Sequence, residues 1–361
     1  MDAIAAKKEA KSKKTAPARL LELSQHPDPS VQLAVSKHAN TPVAALEYLS
    51  GHGKFTILKA VAVHPSTPLA TLERLALHKQ HTVVEVVAKN PRTPLATLER
   101  LVAHPHSMVR RILTTNKALP PAMLETLSRD ADYTVRRSVA ANDQCPTALL
   151  ERLGADESED VRRCVVAQRN TPIVLFEKLA LDPAVQVRAQ VAINHNAPLE
   201  LVRQLSRDPD AEVRGRTISR LLKNQQSDLL EVLVRDPDSE VRYSMSHCLL
   251  HGDAPVNLIA QLAQDSNARV CGGIARRHDL DMATLERLLE DPEAEVRRPL
   301  AHNKIGSTPI FILERLATDP DEDVRWQVAY NNAVTTPILE RLTGDQNARV
   351  RTMALSKLGR P

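Results

Sequence analysis

Nine arginines recur at one place in a repeating pattern: Arg110, Arg136, Arg162, Arg188, Arg214, Arg242, Arg297, Arg325 and Arg351. Nine aspartates recur six residues ahead of that place: Asp130, Asp156, Asp182, Asp208, Asp236, Asp265, Asp291, Asp319 and Asp345. A planar guanidinium fork binds carboxylates and phosphates bidentately. One reading is therefore an anion-gripping ladder, with Arg110, Arg136, Arg162, Arg188 and Arg214 open to a partner. The other is a structural ladder in which each Arg bonds to an Asp of its own or an adjacent repeat and ties the layers together. Eight repeats carry both residues, three carry neither and two are mixed. That co-occurrence favours the structural pair.

In the first four repeats His26, His52, His78 and His104 replace the Asp, at a spacing of 26 residues. Histidine titrates near neutrality and ligates metals. Layers ~10 Å apart hold the rings too far apart to share one ion, whose bonds to nitrogen are ~2.0–2.1 Å. The row reads as a polar helix-terminus residue carried along by repeat duplication. The four cysteines, Cys145, Cys164, Cys248 and Cys271, show no CxxC spacing, so neither a zinc site nor a disulfide framework is expected. No GxSxG, Walker loop, HExxH or GxGxxG is present, and ten glycines leave little scope for phosphate-cradling loops. No catalytic, cofactor or metal residue is assigned.

The elements that hold these residues follow from the repeat itself. Thr41-Pro42, Thr67-Pro68, Thr93-Pro94 and Thr171-Pro172 are separated by 26 residues or multiples of it. Extending the frame gives thirteen repeats, beginning at 15, 41, 67, 93, 119, 145, 171, 197, 225, 254, 280, 308 and 334. The ninth position is always Leu, and the seventeenth is Val except at Ile57. Each unit reads as two short helices. Thr93 is expected as N-cap and Pro94 as first helical residue, with Leu95, Leu98, Leu101 and Val102 on one face. His104-Pro105 breaks that helix, and Asp-Pro does so in later repeats, with the Asp expected to cap the second helix. Asn116 is expected to end the second helix in a left-handed conformation. One such unit cannot bury its own stripe but stacked units can. The fold class expected is all-α, an α-solenoid of about thirteen repeats, on the order of 100–130 Å in contour, with a concave face.

The pattern Thr-Pro-x-x-x-Leu-Glu-x-Leu…Asp-Pro-x-x-x-Val-Arg-x-x-Val-Ala-x-Asn resembles the leucine-rich repeat variant family. An Asp six residues before an Arg is also similar to HEAT repeats. The resemblance covers about residues 15–361 and implies a right-handed superhelix of paired helices, one row α or 3₁₀. Some leucine-rich repeat variants carry an N-terminal cysteine cluster that binds iron–sulfur. No cysteine precedes Cys145, so that cofactor is not carried over.

Departures from the repeat mark further expectations. The first repeats lose the charged ladder and gain Tyr48, Phe55, Leu58 and Val84, which makes them candidate partner-binding residues on a greasier N-terminal groove or, equally, a better-packed terminal core. The stretch 225–307 is irregular: two repeats lengthen, Cys271-Gly272-Gly273 falls within a second helix, and Pro299 falls within another. A hinge, a change of curvature or a tolerated irregularity is expected there. Residues 1–14 read as a disordered Lys-rich tail, and 15–361 as a single solenoid domain.

Composition narrows function. The chain has 361 residues, one Trp, four Tyr and three Phe. No apolar run approaches the ~18 residues of a membrane span, and no secretory h-region follows the start. A reducing cytoplasm is the expected location. Residues 1–118 carry 17 Lys+Arg against 8 Asp+Glu, while the remainder carries 31 against 36. The first reading is a non-catalytic scaffold that binds a protein along the concave face. The alternatives are a nucleic-acid-associated HEAT-like protein using the basic tail and first repeats, and a HEAT-like enzyme such as a DNA glycosylase, or a lyase accessory. Eight aromatics supply no dense stacking platform for bases.

Overall fold

The computed structural model describes residues 2–250, 254–302 and 308–360. Among them all regular structure is α-helical, with no strand and no 3₁₀ segment. Residues 251–253 and 303–307, in the stretch read as irregular, lie outside the described residues. Contacts group the helices into two compact units, residues 1–175 and 176–361, rather than a single block.

The first unit holds α1 (Ala3–Lys11), α2 (Pro17–Ser24), α3 (Pro29–Ser36), α4 (Val43–His52), α5 (Phe55–Val63), α6 (Leu69–Leu75), α7 (His81–Lys89), α8 (Leu95–Val102), α9 (Ser107–Leu113), α10 (Pro121–Leu127), α11 (Tyr133–Ala140), α12 (Thr147–Leu153) and α13 (Glu159–Ala167). The unit boundary falls within α14 (Ile173–Leu179). The second unit continues with α15 (Val185–Ile193), α16 (Leu199–Leu205), α17 (Ala211–Lys223), α18 (Ser227–Leu233), α19 (Ser239–Cys248), α20 (Val256–Leu262), α21 (Ala268–Ile274), α22 (Met282–Leu289), α23 (Ala294–Ala301), α24 (Ile310–Leu316), α25 (Glu322–Tyr330), α26 (Thr336–Leu342) and α27 (Ala348–Lys357).

Even-numbered helices are the first helices of the repeats and odd-numbered ones the second. Within each unit, second helices stack on second helices: α1 on α3 through to α11 on α13, and α15 on α17 through to α25 on α27. This is the expected all-α solenoid of two-helix repeats. Its core is two rows of side chains. The ninth-position leucines, Leu23 through Leu342, are all at most 3 % exposed, and the seventeenth-position residues, Val31 through Val350, are all fully buried. Helices of seven to ten residues are too short to be stable alone, so this shared burial holds them.

The ends of the helices differ from expectation. Pro94 is the N-cap of α8, and Thr93 does not cap it. The Thr93 hydroxyl instead donates to the carbonyl of Val87 in the preceding second helix (2.6 Å), as Thr41 does to Val35 and Thr171 to Val165. The pre-proline threonines therefore close the C-terminus of the previous helix. Asn116 is not left-handed: Gln225 (φ 53°) is the one non-glycine with positive φ among the described residues. Its side chain donates instead to the carbonyls of Ala88 (2.7 Å) and Asn90 (2.9 Å), one repeat earlier.

That bond recurs along the stack with changing donors. His38 Nε2 meets the Ser12 carbonyl (3.0 Å), and His64 Nε2 the His38 carbonyl (2.9 Å). Asn90 and Gln168 donate to Ala62 and Ala140 (both 2.6 Å), Arg277 donates to Leu249, and Lys357 donates to Asn331 (2.8 Å). Helix C-termini leave carbonyls unsatisfied, and in most repeats a side chain near the second-helix end supplies a donor to the repeat before it.

Residues 3–11 form a helix, not a disordered arm. Ala6 and Ala10 of α1 are fully buried, and α1 packs on α3 in the place of a second helix one repeat earlier. Its alanines allow the close approach, its lysines point outward, and His38 and an Arg19–Glu9 pair (2.9 Å) fasten it.

The glycines and proline of the irregular stretch are packing devices. α21 runs through Gly272 and Gly273, both buried, and α23 continues past Pro299 to Ala301. A Cβ on Gly273 would overlap Ser246 Oγ and lie 3.0 Å from Ser246 Cβ on α19, and one on Gly272 would lie 3.2 Å from the Glu295 carbonyl oxygen on α23. Glu295 is the residue whose carbonyl Pro299, lacking an N–H, leaves without its helical donor. Gly273→Ala should therefore lower stability by about 1–2 kcal/mol in chemical denaturation, although helix propensity alone favours Ala by ~1 kcal/mol. A stabilised variant would show that the two helices can part freely.

Candidate functional site

The arginine ladder is bonded within the protein. Arg136 shows the pattern: Nε and Nη2 donate to Asp156 Oδ2 (2.6 Å) and Oδ1 (2.9 Å) of the next repeat, and Nη1 donates to the Asp130 carbonyl (2.8 Å) of its own. The same fork joins Arg110 to Asp130, Arg188 to Asp208, Arg214 to Asp236, Arg242 to Asp265, Arg297 to Asp319 and Arg325 to Asp345. Arg162 and Arg351 donate to the carbonyls of Asp156 and Asp345 (both 2.7 Å). The guanidinium groups of Arg110, Arg136, Arg188 and Arg214 are thus spent on internal bonds, contrary to their assignment as partner-binding residues.

Because the pair spans a repeat boundary, the two mixed repeats make sense. Arg110 needs an Asp only in the following repeat, and Asp265 takes the Arg of the preceding one. Cys271 breaks the series. Its thiol approaches the Asp265 carbonyl (3.1 Å) where an Arg Nη1 would, and burial pushes its pKa up to about 11. Asp291, one repeat on, has no Arg or Lys within ion-pair distance among the described residues.

These Asp residues do not cap the second helices. Each accepts from the backbone N–H two residues on, as Asp156 does from Ser158 (2.9 Å), and so shapes the loop. The cap is that second residue itself: Asp28, Asp132, Asp210, Asp238 and Asp321 accept from the first-turn N–H groups. His26, His78 and His104 take over the loop role, their Nδ1 accepting from the backbone N–H two residues on (3.0–3.1 Å). His52 does not join them. α4 is longer than its counterparts, and His52 Nδ1 lies 3.0 Å from the Tyr48 carbonyl.

Several carboxylates are held in the charged form. Bonds from Ser107 and from the Thr134 hydroxyl and N–H bring Asp132 down to about 2. Burial pushes Asp156 up, but its bonds to Arg136 and Ser158 outweigh that and keep it low, and the Arg325 bond does the same for Asp345. A pKa depressed by folding stabilises above the unfolded value and is lost as pH falls through the folded one. The carboxylate contribution to stability should be level above about pH 5 and fall steeply from about pH 4 to 2. Asp132→Asn should flatten that fall, measured as the denaturant midpoint against pH. An unchanged slope would remove Asp132 from the account.

Leu58 and Val84 are buried in the core, at 5 % and 0 % exposure, and do not face a groove. They occupy the ladder position, which points inward in every repeat, so apolar residues there replace an ion pair with packing. Tyr48 is half-buried and stacks on His52 (ring centroids 4.5 Å apart), while Phe55 is 54 % exposed.

A groove does lie in the first unit, lined by neighbours of those residues on the same helices, among them Lys59, Ala60 and Val86. About 880 Å³ in volume, it crosses α3, α5, α7 and α9. Leu33, Ala60, Val63, Val86 and Ile112 line it with apolar surface, and Ala60 is the smallest of them. Lys37, Lys59, Lys89 and Arg92 also line it, against one carboxylate, Glu85. Arg92 is fixed by bonds to the carbonyls of Pro65 and Thr67. Among the described residues no carboxylate lies within ion-pair distance of Lys37, Lys59 or Lys89. In the second unit some second-helix charges do pair: Arg269 with Glu240 (2.6 Å), and Arg298 and Arg349 with Asp323 (3.3 and 3.4 Å). Sequence reasoning missed these lysines because they occupy no recurring position. The Lys-rich balance of residues 1–118 was the available signal.

No family model and no curated protein matches this chain. Among solved structures it is similar to a leucine-rich repeat variant described as having a novel repetitive protein structural motif. Identity is 26 %, with 59 % of this chain and 84 % of that chain covered and a TM-score of 0.47. No helix is long and apolar enough to cross a membrane among the described residues.

Proposed function

We propose that this protein is a non-catalytic scaffold that holds a protein partner on the second-helix face of its first unit. The observation that carries the reading is the groove over α3–α9: a solvent-facing apolar strip rimmed by Lys37, Lys59 and Lys89, with a single carboxylate, Glu85, in its lining. An apolar strip with a polar rim is the anatomy of a protein-binding surface. The test is peptide display against the full chain, with each selected peptide re-measured on Ala60→Trp, which fills the groove floor. Peptides that lose binding on that variant support the reading. Selection of none, or only of peptides indifferent to it, overturns it.

The excess of positive charge in residues 1–118 favours a nucleic-acid reading as the second. Phosphate-driven binding falls steeply with salt. Anisotropy of labelled duplex DNA and single-stranded RNA at low and near-physiological salt separates the two. Tight binding that survives the higher salt would put nucleic acid first.

A further inference from the structure

We infer that the partner segment is a short acidic amphipathic helix; this rests on the scaffold reading above and names the class of occupant. Three features of the groove select it. Its walls are helices whose backbone N–H and C=O groups are bonded internally or by the Asn/His/Gln donors, so an extended peptide finds no edge to pair with, whereas a helix satisfies its own backbone. Its apolar strip, from Leu33 across Ala60 and Val86 to Ile112, spans four stacked helices. At ~8–10 Å per layer that is on the order of 24–30 Å, the length of about 16–20 helical residues. Its charge is one-sided. Lys37 and Lys89 flank α3 and α7 at their C-terminal ends, Lys59 stands on α5 between them, and none has a carboxylate to answer it.

The favourable part of the interaction is burial of the strip beneath apolar residues at i, i+3, i+4 and i+7 of the incoming helix. Asp or Glu on the flanks of that face then meet the lysines and set orientation and choice of partner. Ala60, between the larger Leu33 and Val86, makes room for one bulky side chain.

The experiment uses the full chain and a fluorescein-labelled designed peptide of about 18 residues, Leu and Phe on one face and Glu on its flanks. Two controls have the same composition scrambled, and Lys in place of every Glu. The acidic amphipathic peptide should bind, gain helical circular dichroism on binding, and weaken as salt is raised. Lys59→Glu with Lys89→Glu should weaken it by at least about tenfold, as should Ala60→Trp. These are surface positions, and matching thermal melts confirm that the variants fold; Lys59→Ser is the milder variant if they do not. Equal affinity for the Lys peptide, with Ala60→Trp still disruptive, overturns the acidic class and leaves the groove reading standing. Binding indifferent to Ala60→Trp overturns both. Displacement by laurate with no gain of peptide helix would assign the groove to an anionic lipid and overturn the inference.

Discussion

Asp156→Ala should cost the folded chain about 3 kcal/mol, while Asp291→Ala should cost less than about 1 kcal/mol. Both residues occupy the same repeat position and accept a backbone N–H two residues on, Asp156 from Ser158 and Asp291 from Glu293. They differ in one bond. Asp156 receives both arms of the Arg136 fork, a pair about 9 % and 7 % exposed, whereas Asp291 faces the repeat in which Cys271 stands at the Arg position. Removing Asp156 leaves a guanidinium with little water to replace its carboxylate. The difference between the variants therefore isolates the ion pair from the loop bond. In a stack of repeats the damage should be local, so hydrogen exchange of the repeats holding α11 and α13 is the sharper readout, with the denaturant midpoint beside it. Equal losses at the two positions would mean the forks contribute nothing beyond shaping the loops.

Leu179→Ala should be as damaging, at about 2–5 kcal/mol. Leu179 is 2 % exposed and belongs to the row of thirteen buried leucines, one per repeat. A seven-residue helix has few ways to collapse into the cavity. A loss below about 0.5 kcal/mol in chemical denaturation would show that this row is not the core.

The period, the two helices per repeat, and the leucine and valine rows were legible because each follows from apolar spacing alone. Direction was harder to read. Scored within one repeat, the Asp and Arg positions leave Arg110 and Asp265 as exceptions; scored from each Arg to the following Asp, only Cys271 and the last of the series, Arg351, stand apart, so the register is legible in the sequence. Leu58 and Val84 leave two readings open in the sequence, a greasier groove and a better-packed core; their burial decides for the core, because the ladder position bonds inside the stack. The threonines and asparagines were read for the helix they adjoin, while their bonds go backwards, Thr93 to Val87 and Asn116 to Ala88. α1 looked like a tail because lysines dominate its composition, and two alanines, Ala6 and Ala10, suffice to seat it. The groove lysines recur at no fixed position and become a group only when four helices are laid side by side.

The ladder bonds share a polarity that bears on how such a chain can change length. Seven Arg forks reach forward to the Asp of the next repeat, and donors such as Asn116 and Asn142 reach back to a carbonyl of the one before. Excising residues 119–144 would bring Arg110 against Asp156 in place of Asp130, and Asn142's role at the Thr114 carbonyl would pass to Gln168. The new junction would have the same parts as the old ones. A stack wired this way can lose or copy one whole repeat without orphaning a charge, and its forks already close over spacings of 20, 22 and 23 residues. Gain and loss of repeats in units of the full period is the route by which such a protein can lengthen or shorten its binding face and keep its fold.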